Sequence, residues 1–220
     1  MHSFTPKLDI LPTAQRRLWA ELVAIPATFT LYGGTAIALH LGHRHSIDFD
    51  FFGDHAFAPL DLLETLDFLG PLTITQSEPS SLTIAVDRGG PVKLSFFGVP
   101  RIRPLRPAAT ASDNGVKIAS LLDLAATKAR VVQQRAEAKD YIDMDALITD
   151  GGISLSTALA AATAIYGSTF TPQSTLKALT YFKDPGLCEL SPDLQLRLVT
   201  AVRGVDLSRL PAVDQGQQSS

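Results

Sequence analysis

The segment SIDFDFF, residues 46–52, constrains this chain more than any other. It alternates in period two, so it reads as a strand with Asp48 and Asp50 on one side and Ile47, Phe49 and Phe51 on the other. Side chains two apart on a strand share a face, with Cα atoms roughly 6.6 Å apart. Aspartate is among the poorest strand residues, and two carboxylates side by side repel. A solvated strand edge would tolerate them. So would a bound hard cation such as Mg²⁺, which takes one or two carboxylates and fills its remaining positions with water and substrate phosphates.

The residues around this strand read as a small α+β unit. A helix is expected over 12–24, a strand over 28–32, a Gly33-Gly34 break and a helix over 35–42. Pro59 opens and Gly70 closes another helix, followed by strands at 72–76, 81–87 and 92–98, with Gly89-Gly90 as a hairpin turn. Gly33-Gly34 follows a strand and opens a helix, with Thr35 available as a cap. Backbone amides at such a place approach an anion closely, and the helix dipole favours phosphate. The segment 99–115 is rich in Pro and Arg and reads as a connection. From 116 onward every segment has a helical pattern, amounting to about five helices. The chain therefore divides into an α+β part, 1–110, a helical part, 111–212, and a disordered tail beginning at 213.

Two charged residues sit oddly in the helical part. In a helix over 118–135, Leu121, Ala125, Lys128 and Val132 form one apolar stripe, while Asp123, Arg130, Gln133 and Gln134 lie opposite. Lys128 is thus a lysine on an apolar face, costly unless paired, and Arg135 falls on the same line. In a helix over 138–149, Asp140 shares a face with Met144 and Leu147, with Asp143 beside it. A structural ion pair between Lys128 and Asp140 explains both residues. A site in a partly solvated cleft explains both as well. Between the two parts, RIRPLRP places Arg101, Arg103 and Arg106 on an extended segment, suited either to phosphate recognition or to keeping a proline-rich connection soluble.

Composition narrows the classes. The 220 residues carry 19 Lys+Arg against 22 Asp+Glu, a formal charge of −3, with 45% hydrophobic and 19% charged residues. That argues against intrinsic disorder and against a protein that coats nucleic acid by bulk charge. A single cysteine, Cys188, excludes an intramolecular disulfide and a cysteine zinc cage. The opening MHSFTPKLD lacks the pattern of a signal peptide, and no apolar run approaches the ~20 residues of a membrane helix. A cytoplasmic location is the expectation. His40, His43 and His45 cluster near the glycines, without the spacing of a metal centre, and read as polar surface or substrate contacts.

The stretch LYGGTAIALHLGHRHSIDFDFF resembles the signature of the polymerase-β-like nucleotidyltransferase superfamily: a Gly-Gly turn, a short helix, then Asp-x-Asp on the next strand. With His43, Arg44 and Ser46 ahead of the aspartates, it is similar to the AbiEii/AbiGii-type toxins. LAATKARVVQQRAEAKDYIDMDAL resembles the second half of that family. The resemblance covers roughly residues 30–150. It implies an α+β core with a mixed, mostly antiparallel sheet, completed by a helical half. It further implies transfer of a nucleotide from an NTP, with Mg²⁺ or Mn²⁺, to an RNA such as tRNA or to a protein, in a toxin–antitoxin or phage-defence setting with a cognate antitoxin.

Carried onto these residues, Gly33, Gly34, Thr35, Arg44, Ser46 and Lys128 would contact nucleotide, Asp48 and Asp50 would hold metal, and Asp140 would be a further acid. Arg101, Arg103, Arg106 and Arg135 would reach the acceptor. One departure stands out: many members of the superfamily carry a third carboxylate on a later strand, where this chain has Ser95. The alternative function is therefore a catalytically weak nucleotide-binding or antitoxin-like module that keeps the fold. A metal-dependent phosphohydrolase fits less well, because histidine-rich metal spacing is absent.

Overall fold

The computed structural model describes residues 3–99 and 103–213. The elements in chain order are β1 (Ser3–Phe4), α1 (Thr13–Trp19), β2 (Phe29–Tyr32), α2 (Gly33–Leu41), β3 (Asp48–Gly53), α3 (Pro59–Thr65), β4 (Leu72–Glu78), β5 (Ser81–Asp87), β6 (Pro91–Gly98), β7 (Ala109–Ala111) and β8 (Lys117–Ile118). Five helices follow: α4 (Leu121–Val131), α5 (Ala138–Thr149), α6 (Leu155–Tyr166), α7 (Pro172–Ala178) and α8 (Pro192–Arg203). The chain forms two compact units, one ending at Arg103 and resuming over Pro107–Ala119, the other made of Pro104–Arg106 and everything from Ser120.

The first unit is built on an eight-stranded mixed sheet in the order β1-β7-β8-β2-β3-β6-β5-β4. β3 pairs antiparallel with β2 and parallel with β6, while the β4-β5-β6 end is an antiparallel meander. Asp87 accepts hydrogen bonds from the amides of Gly89 and Gly90, and both glycines have positive φ, which closes the expected hairpin. One face of the sheet is apolar. Phe49, Phe51, Leu31, Leu82, Ile84, Leu94 and Phe96 are essentially inaccessible. Phe51 stacks on Phe96 at 5.4 Å, and Trp19 of α1 packs over Phe49 at 6.3 Å. Burying seven such side chains stabilises the sheet by roughly 1.5–3 kcal/mol each.

Several expectations need correction. The first helix is α-helical only to Trp19 and tightens into a 3₁₀ turn over Ala20–Ala24. The helix expected over 59–70 divides in the same way, into α3 and a 3₁₀ turn at Asp67–Leu69. The central strand starts at Asp48, so Ile47 precedes the pleat and is 57% exposed instead of packing in the core. The segment 99–115 is not merely a connection: β7 lies in it, and β8 follows where only helix was expected. The boundary thus falls at Ser120 and not near 110. Two- and three-residue strands carry too little alternation to be read, and only pairing with β1 and β2 defines them. Arg101 and residues 214–220 of the expected tail lie outside the described residues, while Val213, placed in that tail, packs against the helical core.

The helical unit surrounds its own core of Leu105, Ala126, Ala129, Tyr141, Met144, Leu159, Phe170, Leu179 and Leu198, among others. Asp123, expected on the polar face of α4, is instead fully buried. Its carboxylate accepts from the backbone amides of Leu105 (2.7 Å) and Arg106 (3.2 Å) and from the hydroxyl of Ser120 (2.5 Å), the helix cap. Burial pushes this carboxyl up despite those three hydrogen bonds. Asp123 therefore ties the 104–106 segment to α4. Replacing it with Ala leaves two amides without an acceptor and is expected to lower stability by about 2–4 kcal/mol, with Asp123→Asn milder at about 1 kcal/mol; urea denaturation measures both.

Candidate active site

The opposite face of the sheet carries charged and polar side chains beside a group of aromatic rings. Asp48 and Asp50 lie there with Phe52, half-buried, along β3. Parallel pairing with β6 sets Lys93 beside Asp48, Ser95 beside Asp50 and Phe97 beside Phe52. From β2, Tyr32 is the partner of Asp50, and its ring stacks on Phe52 at 4.7 Å. The Lys93 ammonium is 3.2 Å from Asp48 Oδ2, with the two side chains 47% and 31% exposed. Ser95, at the position of the third acid, is buried.

Gly33 begins α2 with φ +72°, a conformation strained for any residue with a Cβ. A Cβ there would also lie 2.7 Å from Asp50 Oδ2. Glycine is required twice over: for the turn out of β2, and to let the backbone come against the carboxylate. The N-cap of α2 is Tyr32, which gives no side-chain cap, so the first-turn amides are not closed off by one. Thr35 is not the cap. Its hydroxyl is buried, bonded to the Ser46 hydroxyl at 2.7 Å and to the Asp48 carbonyl. Thr35 and Ser46 thus bind α2 to the start of β3 and hold Gly33 against Asp50.

The histidines divide by location. His40 Nε2 bonds the Ala119 carbonyl at 3.0 Å, and its ring stacks on Phe4 at 4.3 Å, which makes it a structural residue of this unit. His45 Nδ1 lies 3.1 Å from the Ile10 carbonyl. Arg44 donates to the His45 carbonyl at 2.9 Å. Among the described residues, no three His, Cys, Asp or Glu side chains converge as a metal cage.

In the helical unit, α4 and α5 bring Lys128, Asp140 and Asp143 together. The Lys128 ammonium is 2.7 Å from Asp140 Oδ1 and 2.8 Å from Asp143 Oδ2, and the three side chains are 6%, 0% and 0% exposed. The expectation of a partly solvated cleft around Lys128 is not met: an apolar helix interface encloses it. Arg135 reaches Asp140 from the surface, with Nε at 2.7 Å and Nη2 at 3.2 Å. Burial raises the Asp140 carboxyl, but the Arg135 hydrogen bonds and the Lys128 charge outweigh it and hold the group below its ordinary value. Arg103 and Arg106 are exposed; the Arg106 guanidinium donates to the Leu105 carbonyl at 2.8 Å.

Sequence reasoning missed Lys93 and the part played by Asp143. Asp143 had a signal, one turn from Asp140. Lys93 had only its alternation with Ser95, which means nothing until the register with β3 is known.

Breaking the buried cluster should be severe. Lys128→Met leaves two enclosed carboxylates without their ammonium and is expected to destabilise the protein by about 3–5 kcal/mol. Because the Asp140 carboxyl is lowered, its contribution is complete above the ordinary value of 3.8 and is lost as pH falls through the folded value below it. Urea melts at neutral pH and near the folded value should show that loss in the wild type and little of it in Asp140→Asn.

Comparison with known proteins supplies the family. An uncharacterized protein of Aquifex aeolicus (strain VF5) is 33% identical over 129 residues, covering 58% of this chain and 61% of that protein's length. The structure of a candidate nucleotidyltransferase from H. pylori matches with a TM-score of 0.56 and 16% identity, over 86% of this chain and 92% of that one. MenT4, a nucleotidyltransferase toxin from Mycobacterium tuberculosis H37Rv, matches with a TM-score of 0.58 and 11% identity, over 89% and 85%. At such identities these two structures share the fold. No helix among the described residues is long and apolar enough to cross a membrane. The nucleotidyl transferase AbiEii toxin family, of type IV toxin–antitoxin systems, matches residues 17–214, and the chain belongs to that family of nucleotidyltransferases.

Proposed function

We propose that this protein transfers a nucleotide from an NTP to a hydroxyl of an RNA, tRNA being the acceptor class considered first, and that it acts in the cytoplasm as the toxin of a pair with a cognate antitoxin. The observation that carries the reading is the pair of aspartates on one face of β3 with Gly33 against the second of them. Two hard oxygen donors suit Mg²⁺ or Mn²⁺ when substrate phosphates complete the coordination. The glycine that leaves Asp50 Oδ2 room is a further sign of fit. Asp48 and Asp50 would hold the ion, and a bound ion supplies positive charge to the α-phosphate.

The remaining chemistry is positioning and charge neutralisation. The acceptor hydroxyl attacks the α-phosphorus in line. A bond from its oxygen to phosphorus forms, the bond from phosphorus to the bridging oxygen of the β-phosphate breaks, and pyrophosphate leaves. A carboxylate of the site accepts the hydroxyl proton. The amides of Gly33 and Gly34, at the start of α2, are suited to the phosphates. Thr35 and Ser46 act by holding those amides in place, and Arg44 flanks them.

Lys128 and Asp140 belong to the proposal through the family resemblance, with Arg135 as the exposed cation of their cluster. Arg106 is an exposed cation on the segment that Asp123 orders, and Arg103 is exposed as well, which supports a phosphate-contacting role toward RNA. Arg101 joins them only from the sequence.

A weakly catalytic nucleotide-binding module is the second reading. Ser95 beside Asp50 favours it, since a third carboxylate is missing at that position. Incubation with labelled NTP and Mg²⁺ separates the two. Label should move to bulk RNA, and Asp48→Asn or Asp50→Asn should reduce transfer by about 100-fold or more, as when one charge-stabilising contact is removed. NTP binding without transfer to either RNA or protein would establish the second reading. Gly33→Ala should fold yet lose Mg²⁺-dependent NTP binding in calorimetry.

A further inference from the structure

We propose that Lys93 is a tethered cation that holds Asp48 in the nucleotide-free protein, so that a divalent ion settles on Asp48 and Asp50 together with the triphosphate and not before it. The inference rests on the nucleotidyl-transfer reading and adds to it the order in which the site fills. It begins from the register. β3 and β6 run parallel with Asp48 opposite Lys93 and Asp50 opposite Ser95. The first aspartate meets a lysine at 3.2 Å, and Ser95 is the register partner of the second.

The contact is of a kind that can be given up. Lys93 is 47% exposed and Asp48 31%, and a solvated ion pair of this sort is weak and easily screened. The lysine side chain has four rotatable bonds and a compact charge, so it can turn away without disturbing β6. The Lys128 ammonium is different: it is enclosed and shared by two buried carboxylates. Lys93 is also free of any packing duty, since Leu94 and Phe96 fill the apolar face beside it.

The electrostatics then follow. With no nucleotide bound, the ammonium removes much of the attraction that Asp48 offers a dication. A triphosphate brings negative charge to the same face. It provides the ammonium with a new partner and the ion with further oxygen ligands. Metal and nucleotide therefore assist one another, and by linkage each raises the affinity of the other by the same factor.

Mn²⁺ binding followed by electron paramagnetic resonance, without nucleotide, tests this directly. Lys93→Met and Lys93→Gln should bind Mn²⁺ about tenfold more tightly than wild type, the effect of removing one solvated charge from beside a dication. Lys93→Arg should match wild type. With inorganic tripolyphosphate present, the advantage of the two neutral variants should vanish. Thermal melts of the Lys93 variants are expected to coincide, since the pair is partly solvated. If Asp48→Asn abolishes Mn²⁺ binding while the neutral Lys93 variants bind as wild type does, the Lys93 proposal is overturned and the nucleotidyl-transfer reading stands. If no form binds Mn²⁺ with or without tripolyphosphate, both are overturned.

Discussion

The parallel pairing of β3 with β6 is the constraint on which the sheet unit depends. It puts Phe49 and Phe51 against Leu94 and Phe96 on one side, a layer with no measurable exposure for most of its members. That burial decides the register, because a slip of one residue would turn every side chain to the wrong face. The polar face follows from the same choice. Asp48 and Asp50 stay together at mid-sheet because their neighbours in the strand are anchored behind them. Thr35 and Ser46 then fix α2 to the start of β3, and Gly33 lets the backbone close on Asp50.

The helical unit handles charge differently. Lys128, Asp140 and Asp143 have no solvent to share their charges, so the ammonium bridges both carboxylates, and Arg135 closes the group from outside. Burial opposes ionisation of Asp140, and only the two cations reverse it. Asp123 represents the other outcome, a buried acid held by neutral donors, in which desolvation prevails. Two aspartates of similar burial thus differ because one is hydrogen-bonded by two cations, while the other is hydrogen-bonded by amides and a hydroxyl, with the Arg106 charge the weakest influence on it.

Much of the fold was legible beforehand. Period-two alternation marked β3, short strands were read where β4, β5 and β6 lie, a glycine pair marked the hairpin, and apolar stripes marked α4 and α5. The Asp48, Asp50 and Gly33 constellation was readable because strand pleat and turn chemistry are local. What escaped was non-local or too short. β7 and β8 contain too few residues to alternate. Ile47 was misplaced because the strand begins at Asp48, two residues later than the alternation from Ser46 suggests. Asp123 was assigned to the polar face because helix periodicity cannot foresee a loop folding back onto it.

Sequence alone therefore determined which residues could form the site: two same-face aspartates after a Gly-Gly turn, and a lysine and an aspartate inside apolar helical stripes. Tertiary structure decided their company. Only the register of β3 on β6 could put Lys93 on Asp48 and Ser95 on Asp50, since long-range strand pairing is set by the burial of the opposite face. Only the packing of α4 on α5 could show that Lys128 is enclosed, because depth of burial depends on every neighbour at once and not on the spacing within one helix.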